Sequence, residues 1–112
     1  MAGNLNSSAN PVDRGLFLPR GYAAAITDTG HVNTVATWEF TTPGEPNRSK
    51  IIDYFYRAVH EVTLAAKQLV KGYYSDGISH SYFDGCSNGG KMGLLEARRF
   101  PDDYDGIISG AP

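Results

Sequence analysis

The apolar residues in the middle of the chain recur at steps of three and four positions. This spacing places them on one side of a helix and predicts an amphipathic helix between Ile51 and Lys71. Asp53 in the first turn, Lys71 in the last turn and Gly72 after it are typical of the two ends of a helix. The apolar positions are Ile51, Ile52, Phe55, Tyr56, Val59, Val62, Ala66, Leu69 and Val70.

Shorter apolar segments on either side of this helix predict strands. Tyr22–Thr27 fits a strand buried on both faces, although its alanines would suit a helix equally well. Ser79–Asp84 is a second strand candidate, and Ile107-Ile108 begins a third. Between these two, Gly89–Phe100 has a helical pattern that Pro101 ends. The order strand, helix, strand, helix, strand predicts an α/β protein whose parallel sheet is connected by crossover helices.

The composition is that of an ordinary globular protein and excludes several functions. The 112 residues carry ten Lys plus Arg and twelve Asp plus Glu, a formal charge of −2, so no basic stripe for a nucleic acid is expected. No apolar run approaches the ~20 residues of a membrane span, so no membrane partner is expected. One cysteine cannot form a disulfide within the chain, and no H-E-x-x-H or C-x-x-C spacing indicates a metal site.

A glycine-flanked serine follows the second predicted strand. Gly85–Gly89 reads G-C-S-N-G and matches G-x-S-x-G, the nucleophile elbow of α/β hydrolases. In such a sharp strand-to-helix turn, the positions two before and two after the serine come into near contact, so both must be glycine. The turn would lift the Ser87 hydroxyl above the edge of the sheet. It would also aim the backbone N–H of Asn88 at a developing oxyanion.

Two other interpretations cover the same residues. Gly85–Lys91 also contains G-x-x-x-x-G-K, the core of a phosphate-binding loop, in which Lys91 would reach the phosphates of a nucleotide. The next residue of such a loop should be Ser or Thr, to hold magnesium, but it is Met92. The remaining alternative is a non-catalytic, truncated α/β module that uses the glycines only to make a turn.

A longer stretch around this motif resembles the tannase/feruloyl esterase family. Members of that family typically read G-C-S-x-G-G, then E-A-x-R-F-P-x-D-[FY]-D-G-I, then G-A-P. This chain has the same pattern at Gly85–Gly90, at Glu96–Ile107 and at Gly110–Pro112. Three upstream blocks are also similar to the family: Gly21–Ala23, Thr27–His31 and Arg57–Glu61.

The resemblance implies a partial α/β-hydrolase fold and two-step acyl transfer by a serine carboxylic ester hydrolase. Ser87 would attack the ester carbonyl as the nucleophile, and the backbone N–H of Asn88 would form part of the oxyanion hole. The implied substrates are small phenolic esters or plant cell-wall esters, carrying either feruloyl-type or galloyl groups.

The resemblance also implies features outside the elbow. Family members pair the cysteine beside the nucleophile with a cysteine directly before the catalytic histidine, which implies a disulfide for Cys86. No cofactor or metal is expected in this segment, but a structural calcium is expected in the family's lid domain. The family is largely secreted, and glycosylation sequons at Asn6 and Asn47 are compatible with secretion.

The triad acid and histidine of α/β hydrolases follow the serine along the chain. No histidine and no cysteine follows Ser87 here. We therefore expect residues 1–112 to be a fragment of one catalytic domain and to be close to inactive alone. The triad acid and base, the partner of Cys86 and the lid are expected beyond Pro112, and the signal peptide is also expected outside this segment.

The polar residues that could be mistaken for triad members have simpler interpretations. His31 is expected to fix a turn by hydrogen bonds, His60 to be a structural residue of its helix, and His80 to open a strand. Asp102, Asp103 and Asp105 are expected to end a helix and form a turn rather than to supply the triad acid.

Overall fold

The structure is a computed structural model, and it describes residues 15–31, 36–75 and 77–112. Two 3₁₀ turns, Leu18–Arg20 and Ala36–Glu39, precede a short antiparallel hairpin of β1 (Phe40–Thr42) and β2 (Glu45–Pro46). A long helical run follows, made of α1 (Arg48–Ile52), a π turn (Asp53–Arg57) and α2 (Ala58–Tyr73). The chain then forms β3 (Tyr82–Cys86), α3 (Asn88–Arg99) and β4 (Gly106–Gly110).

The predicted parallel sheet is present as a pair of strands. β3 pairs with β4 in parallel, from Tyr82 opposite Gly106 to Cys86 opposite Gly110. Parallel strands need a crossover between them, and α3 supplies it. The prediction of an α/β fold with a parallel sheet and crossover helices is therefore confirmed.

The core lies where β3, α2 and α3 meet. Alternate residues of β3 are buried, which brings Phe83 into the interior beside Val59 of α2 and Met92 of α3. Each of these three side chains is only 1% exposed. Tyr54, Tyr104 and Ile107 pack around them. Full burial of such side chains contributes about 1.5–3 kcal/mol each, so this cluster fixes α3 against the sheet.

The long helix differs from its prediction in its bounds, in a π turn and in the exposure of Leu69. Helical structure begins at Arg48, where the Asn47 side chain accepts a hydrogen bond from the Lys50 N–H, and it continues to Tyr73. The π turn interrupts it, with the Ala58 N–H bonded to the Asp53 carbonyl five residues earlier. Leu69, placed on the apolar side by its spacing, is 74% exposed. Since β3 and α3 lie against the first half of α2, the apolar side of the second half has no comparable cover among the described residues.

The first predicted strand is wrong for this structure. Tyr22–Thr27 has no regular secondary structure, and no hydrogen bond pairs it with β3 or β4. A strand exists only through bonds to a neighbour, and the alanines here offer little apolar area to hold one in place. The second predicted strand, Ser79–Asp84, is shifted: β3 begins at Tyr82 and extends through Gly85 to Cys86. Within the described residues, no helix is both long and apolar enough to cross a membrane.

Gly90→Ala is expected to destabilise the fold. A β-carbon at position 90 would overlap the carbonyl oxygen of Gly110, which belongs to the neighbouring strand β4. Such overpacking should lower the free energy of unfolding by about 1–3 kcal/mol in a denaturant titration. Gly72→Ala is the matched control, because nothing lies within 4 Å of its added β-carbon. That variant should be more stable by about 0.5–1 kcal/mol, and a similar gain for Gly90→Ala would contradict the close approach.

Candidate functional site

Ser87 occupies the sharp turn between β3 and α3. Its backbone has φ 58° and ψ −118°, a conformation that residues with a β-carbon rarely adopt. Backbone strain of this kind costs about 1–3 kcal/mol and persists only where the surrounding structure enforces it. The side chain is exposed, so the hydroxyl is accessible at the end of the strand. The strand–turn–helix context expected for the G-x-S-x-G motif is therefore present.

Close backbone contacts enforce this turn. A β-carbon at Gly85 would lie 2.5 Å from the carbonyl oxygen of Gly89. This close approach explains why glycine stands two residues before and two residues after Ser87. The Ser87 N–H donates to the Gly110 carbonyl at 3.0 Å, and the Ser109 hydroxyl donates to the Gly90 carbonyl at 2.5 Å. Strand β4 thus holds the turn and the first residues of α3 from one side.

Asn88 is the first residue of α3, and its side chain is also fixed. The first N–H groups of a helix have no acceptor within it, so the Asn88 N–H is available to a ligand. The side-chain Oδ1 accepts a hydrogen bond from the Tyr54 hydroxyl at 2.9 Å. The side-chain Nδ2 is buried and has no hydrogen-bond partner among the described residues. The hydrogen bond between Tyr54 and Asn88 was not predicted from the sequence, because it joins residues 34 positions apart.

An aromatic cluster surrounds Tyr54. The rings of Trp38 and His31 stack with centroids 4.3 Å apart, and Trp38 lies 4.9 Å from the Tyr54 ring. The Lys91 ammonium lies over the Tyr54 ring at 3.8 Å and over Phe55 at 4.9 Å, within the range of cation–π attraction. The face of α3 that begins at Asn88 therefore contacts an aromatic surface rather than water.

The histidines that the structure describes do not complete a triad with Ser87. His31 is 3% exposed, and its Nδ1 lies 3.3 Å from the Thr29 hydroxyl, in agreement with the expected turn-fixing role. His60 bonds to Asp103, and His80 is exposed and stacks on Tyr82. Within residues 15–31, 36–75 and 77–112, no histidine forms a hydrogen bond with Ser87.

The thiol of Cys86 is exposed, at the last position of β3. A β-carbon added to Gly110 would lie 3.8 Å from the Cys86 sulfur, so the thiol sits beside the end of β4. It therefore lies next to Ser87, at the edge of the sheet where the strands end.

A buried ionisable cluster lies at the other end of α3. His60 Nδ1 and Asp103 Oδ2 are 2.6 Å apart, and Glu96 is fully buried close to both. Neither carboxylate oxygen of Glu96 has a hydrogen-bond partner in the described part of the chain. Burial, followed by the charge of Asp103, raises the pKa of Glu96 from its ordinary 4.5 to about 7. Sequence patterns could not indicate this cluster, because its members come from three separate segments.

The same three residues are of types that can bind metals. One ligand atom from each of His60, Glu96 and Asp103 lies within 4.8 Å of the others. Two ligands of one tetrahedral ion, at bond lengths of about 2.0–2.2 Å, lie about 3.3–3.6 Å apart. The 2.6 Å between His60 and Asp103 is instead a hydrogen-bond distance. This distance therefore fits a hydrogen bond between His60 and Asp103 better than two ligands of one metal ion.

Comparison with known proteins identifies a family. The family described as "Tannase and feruloyl esterase" matches residues 1–112. A probable feruloyl esterase B from Aspergillus niger is 37% identical over 119 residues, covering 85% of this chain and 23% of the relative. A probable feruloyl esterase B-1 from Aspergillus fumigatus is 36% identical, covering 98% of this chain and 20% of the relative.

A solved structure agrees with these matches. The crystal structure of feruloyl esterase B from Aspergillus oryzae superposes with a TM-score of 0.70 and 33% sequence identity. The aligned region covers 81% of this chain and 18% of that one. The chain thus spans about a fifth of the length of the relatives it matches.

Glu96→Gln is expected to change how stability depends on pH. Between about pH 4.5 and about pH 7, folded Glu96 keeps a proton that the unfolded chain has released, so this carboxyl lowers stability as the pH rises. A glutamine cannot lose a proton. The free energy of unfolding of the variant, relative to the wild type, should therefore increase across this interval by on the order of 1–3 kcal/mol.

Urea denaturation at a series of pH values measures this difference. Glu61→Gln, which changes an exposed glutamate of α2, is the control for the loss of one surface carboxylate. A difference between Glu96→Gln and the wild type that stays constant with pH would show that Glu96 titrates normally in the folded protein.

Proposed function

Because the chain belongs to the tannase and feruloyl esterase family, we propose that it supplies the nucleophile of a serine carboxylic ester hydrolase. The observation that carries the proposal is the strained, exposed Ser87 in a turn between a parallel strand and a helix. A serine in an ordinary loop would not be held at positive φ by a backbone approach as close as that between Gly85 and the Gly89 carbonyl. Retention of that strain is typical of a residue whose geometry serves a reaction.

The proposed reaction is two-step acyl transfer. The Ser87 Oγ attacks the ester carbonyl carbon while its proton passes to a general base, and the carbonyl oxygen becomes an oxyanion. The Asn88 N–H donates to that oxyanion. Collapse of the intermediate breaks the bond to the alcohol, which leaves with the proton. Water then attacks the acyl-enzyme and releases the acid and free Ser87.

The general base is proposed to come from outside these 112 residues. His31 and His60 are bonded to Thr29 and Asp103, and no described histidine bonds to Ser87. We propose that this chain is part of one catalytic domain, to which other segments contribute the triad acid and histidine. The 112 residues alone should then be close to inactive.

The proposed substrates are phenolic esters of plant material, and we favour feruloyl-type esters over galloyl esters. The support is that the similar proteins are named feruloyl esterases. A nucleotide-binding loop is less well supported, since the Lys91 ammonium packs on the Tyr54 and Phe55 rings and Met92 is buried. Lys91 would have to leave these rings to reach phosphates, and Met92 has no oxygen with which to hold magnesium.

Further proposals concern the surroundings of the site. We propose that Cys86 forms a disulfide with a cysteine outside these residues, close to the catalytic histidine, and that the enzyme is secreted with a calcium-binding lid. The support for the disulfide is an exposed thiol next to the nucleophile. Such a bridge would hold the nucleophile and the base together, and it requires an oxidising compartment.

Ser87→Ala in the full-length protein is expected to abolish detectable hydrolysis of a feruloyl ester. The variant loses the nucleophile, so activity should fall by at least about 10³-fold with unchanged thermal stability. A fluorophosphonate probe should label the wild type and not the variant. Ser75→Ala, which changes an exposed serine after α2, is the control and should keep full activity and labelling. A wild-type protein that is not labelled would favour the non-catalytic alternative.

Cys86 in the secreted, unreduced protein is expected not to react with iodoacetamide, because the proposed disulfide leaves it without a free thiol. Peptide mass spectrometry without reduction should find the Cys86 peptide cross-linked to another cysteine peptide, and reduction should separate the two. Full alkylation of Cys86 before reduction would contradict the disulfide and leave the esterase proposal intact.

A further inference from the structure

The π turn determines where Tyr54 points. Asp53–Arg57 contains one residue more than a regular helical turn would, as the bond from the Ala58 N–H to the Asp53 carbonyl shows. Single π turns inside α-helices occur frequently at functional sites, because the extra residue changes the direction of the side chains it carries. Here the turn directs the Tyr54 hydroxyl to the first residue of α3.

We propose that Tyr54 is a positioning residue of the nucleophile elbow, acting through its hydrogen bond to the Asn88 side chain. The inference rests on the proposed function, because only the proposed reaction produces an oxyanion to which the Asn88 backbone N–H can donate. Among the described residues, the Tyr54 hydroxyl donates to Asn88 and not to Ser87. Its effect passes through one residue, since the side chain that it holds and the N–H that meets the oxyanion belong to the same Asn88.

The surroundings of Tyr54 make it a rigid support. Its ring packs against Trp38 at 4.9 Å and against the buried core, and the Lys91 ammonium covers one face at 3.8 Å. Lys91 and Asn88 both belong to the first turn of α3, so Tyr54 holds this turn at two points. The 2.9 Å hydrogen bond to Asn88 Oδ1 fixes the rotation of that side chain.

The kinetic consequence should appear in the chemical step. The oxyanion forms only as Ser87 attacks, so a misdirected Asn88 N–H weakens binding of the transition state and not of the ester. Tyr54→Phe keeps the ring, its packing and its attraction for Lys91 but removes the hydroxyl. We expect kcat to fall by about five- to tenfold, the effect of one hydrogen bond, with KM unchanged.

The first experiment compares two tyrosines of the same helical run in the full-length protein. Tyr56 contacts Arg99 and Phe100 rather than Asn88, so Tyr56→Phe should retain the wild-type kcat. Tyr54→Phe should slow both ester hydrolysis and fluorophosphonate labelling of Ser87. An unchanged kcat in Tyr54→Phe would overturn the inference, and so would a loss expressed only as a higher KM.

A double-mutant cycle tests the route through Asn88. Asn88→Ala keeps the backbone N–H but removes the partner of Tyr54, so alone it should reproduce the loss seen in Tyr54→Phe. In the Asn88→Ala background, Tyr54→Phe should have no further effect on labelling. Independent, multiplying losses would overturn the inference. If the wild type is not labelled at all, the proposed function fails, whereas normal labelling that is insensitive to Tyr54 removes only the positioning role.

Discussion

The close approach of α3 to the ends of β3 and β4 is the constraint on which the rest of the site depends. Gly85 and Gly90 leave no room for a β-carbon, because the carbonyl groups of Gly89 and Gly110 occupy that space. Larger residues would push the helix away from the strands. The tight turn then forces Ser87 into its strained conformation and leaves its side chain exposed. Exposure of the Ser87 side chain is thus a result of backbone packing.

Two side-chain networks contact α3 near its opposite ends. Near its beginning, Tyr54 contacts both Asn88 and Lys91. Near its end, buried Glu96 lies beside the His60–Asp103 pair, and the ring of His60 stacks on Phe100 at 3.7 Å. Both networks connect α3 to the long helical run. Contacts at both ends therefore restrain the rotation of the helix as well as its distance from the long helical run.

The parts of the fold predictable from sequence were those encoded locally. The elbow could be recognised because the steric requirement of its turn concerns five consecutive residues, Gly85–Gly89. Pro101 and the helical spacing likewise indicated α3 and the long helix. The strand predicted at Tyr22–Thr27 is wrong, because strand formation depends on a neighbouring strand that the periodicity of one segment does not specify. The Tyr54–Asn88 contact and the Glu96 cluster were missed for a related reason: each depends on how elements pack.

The π turn also bears on how this site could vary during evolution. One residue corresponds to about 100° of rotation in a helix, so deleting a single residue from Asp53–Arg57 could restore regular α-helix without breaking it. The chain before the deletion would then be turned relative to α2, and position 54 would face elsewhere. A single codon lost here would therefore exchange the group presented to the elbow while the elbow itself stayed the same. The helix offers a place where the surroundings of Ser87 can diversify without any change in the turn that carries it.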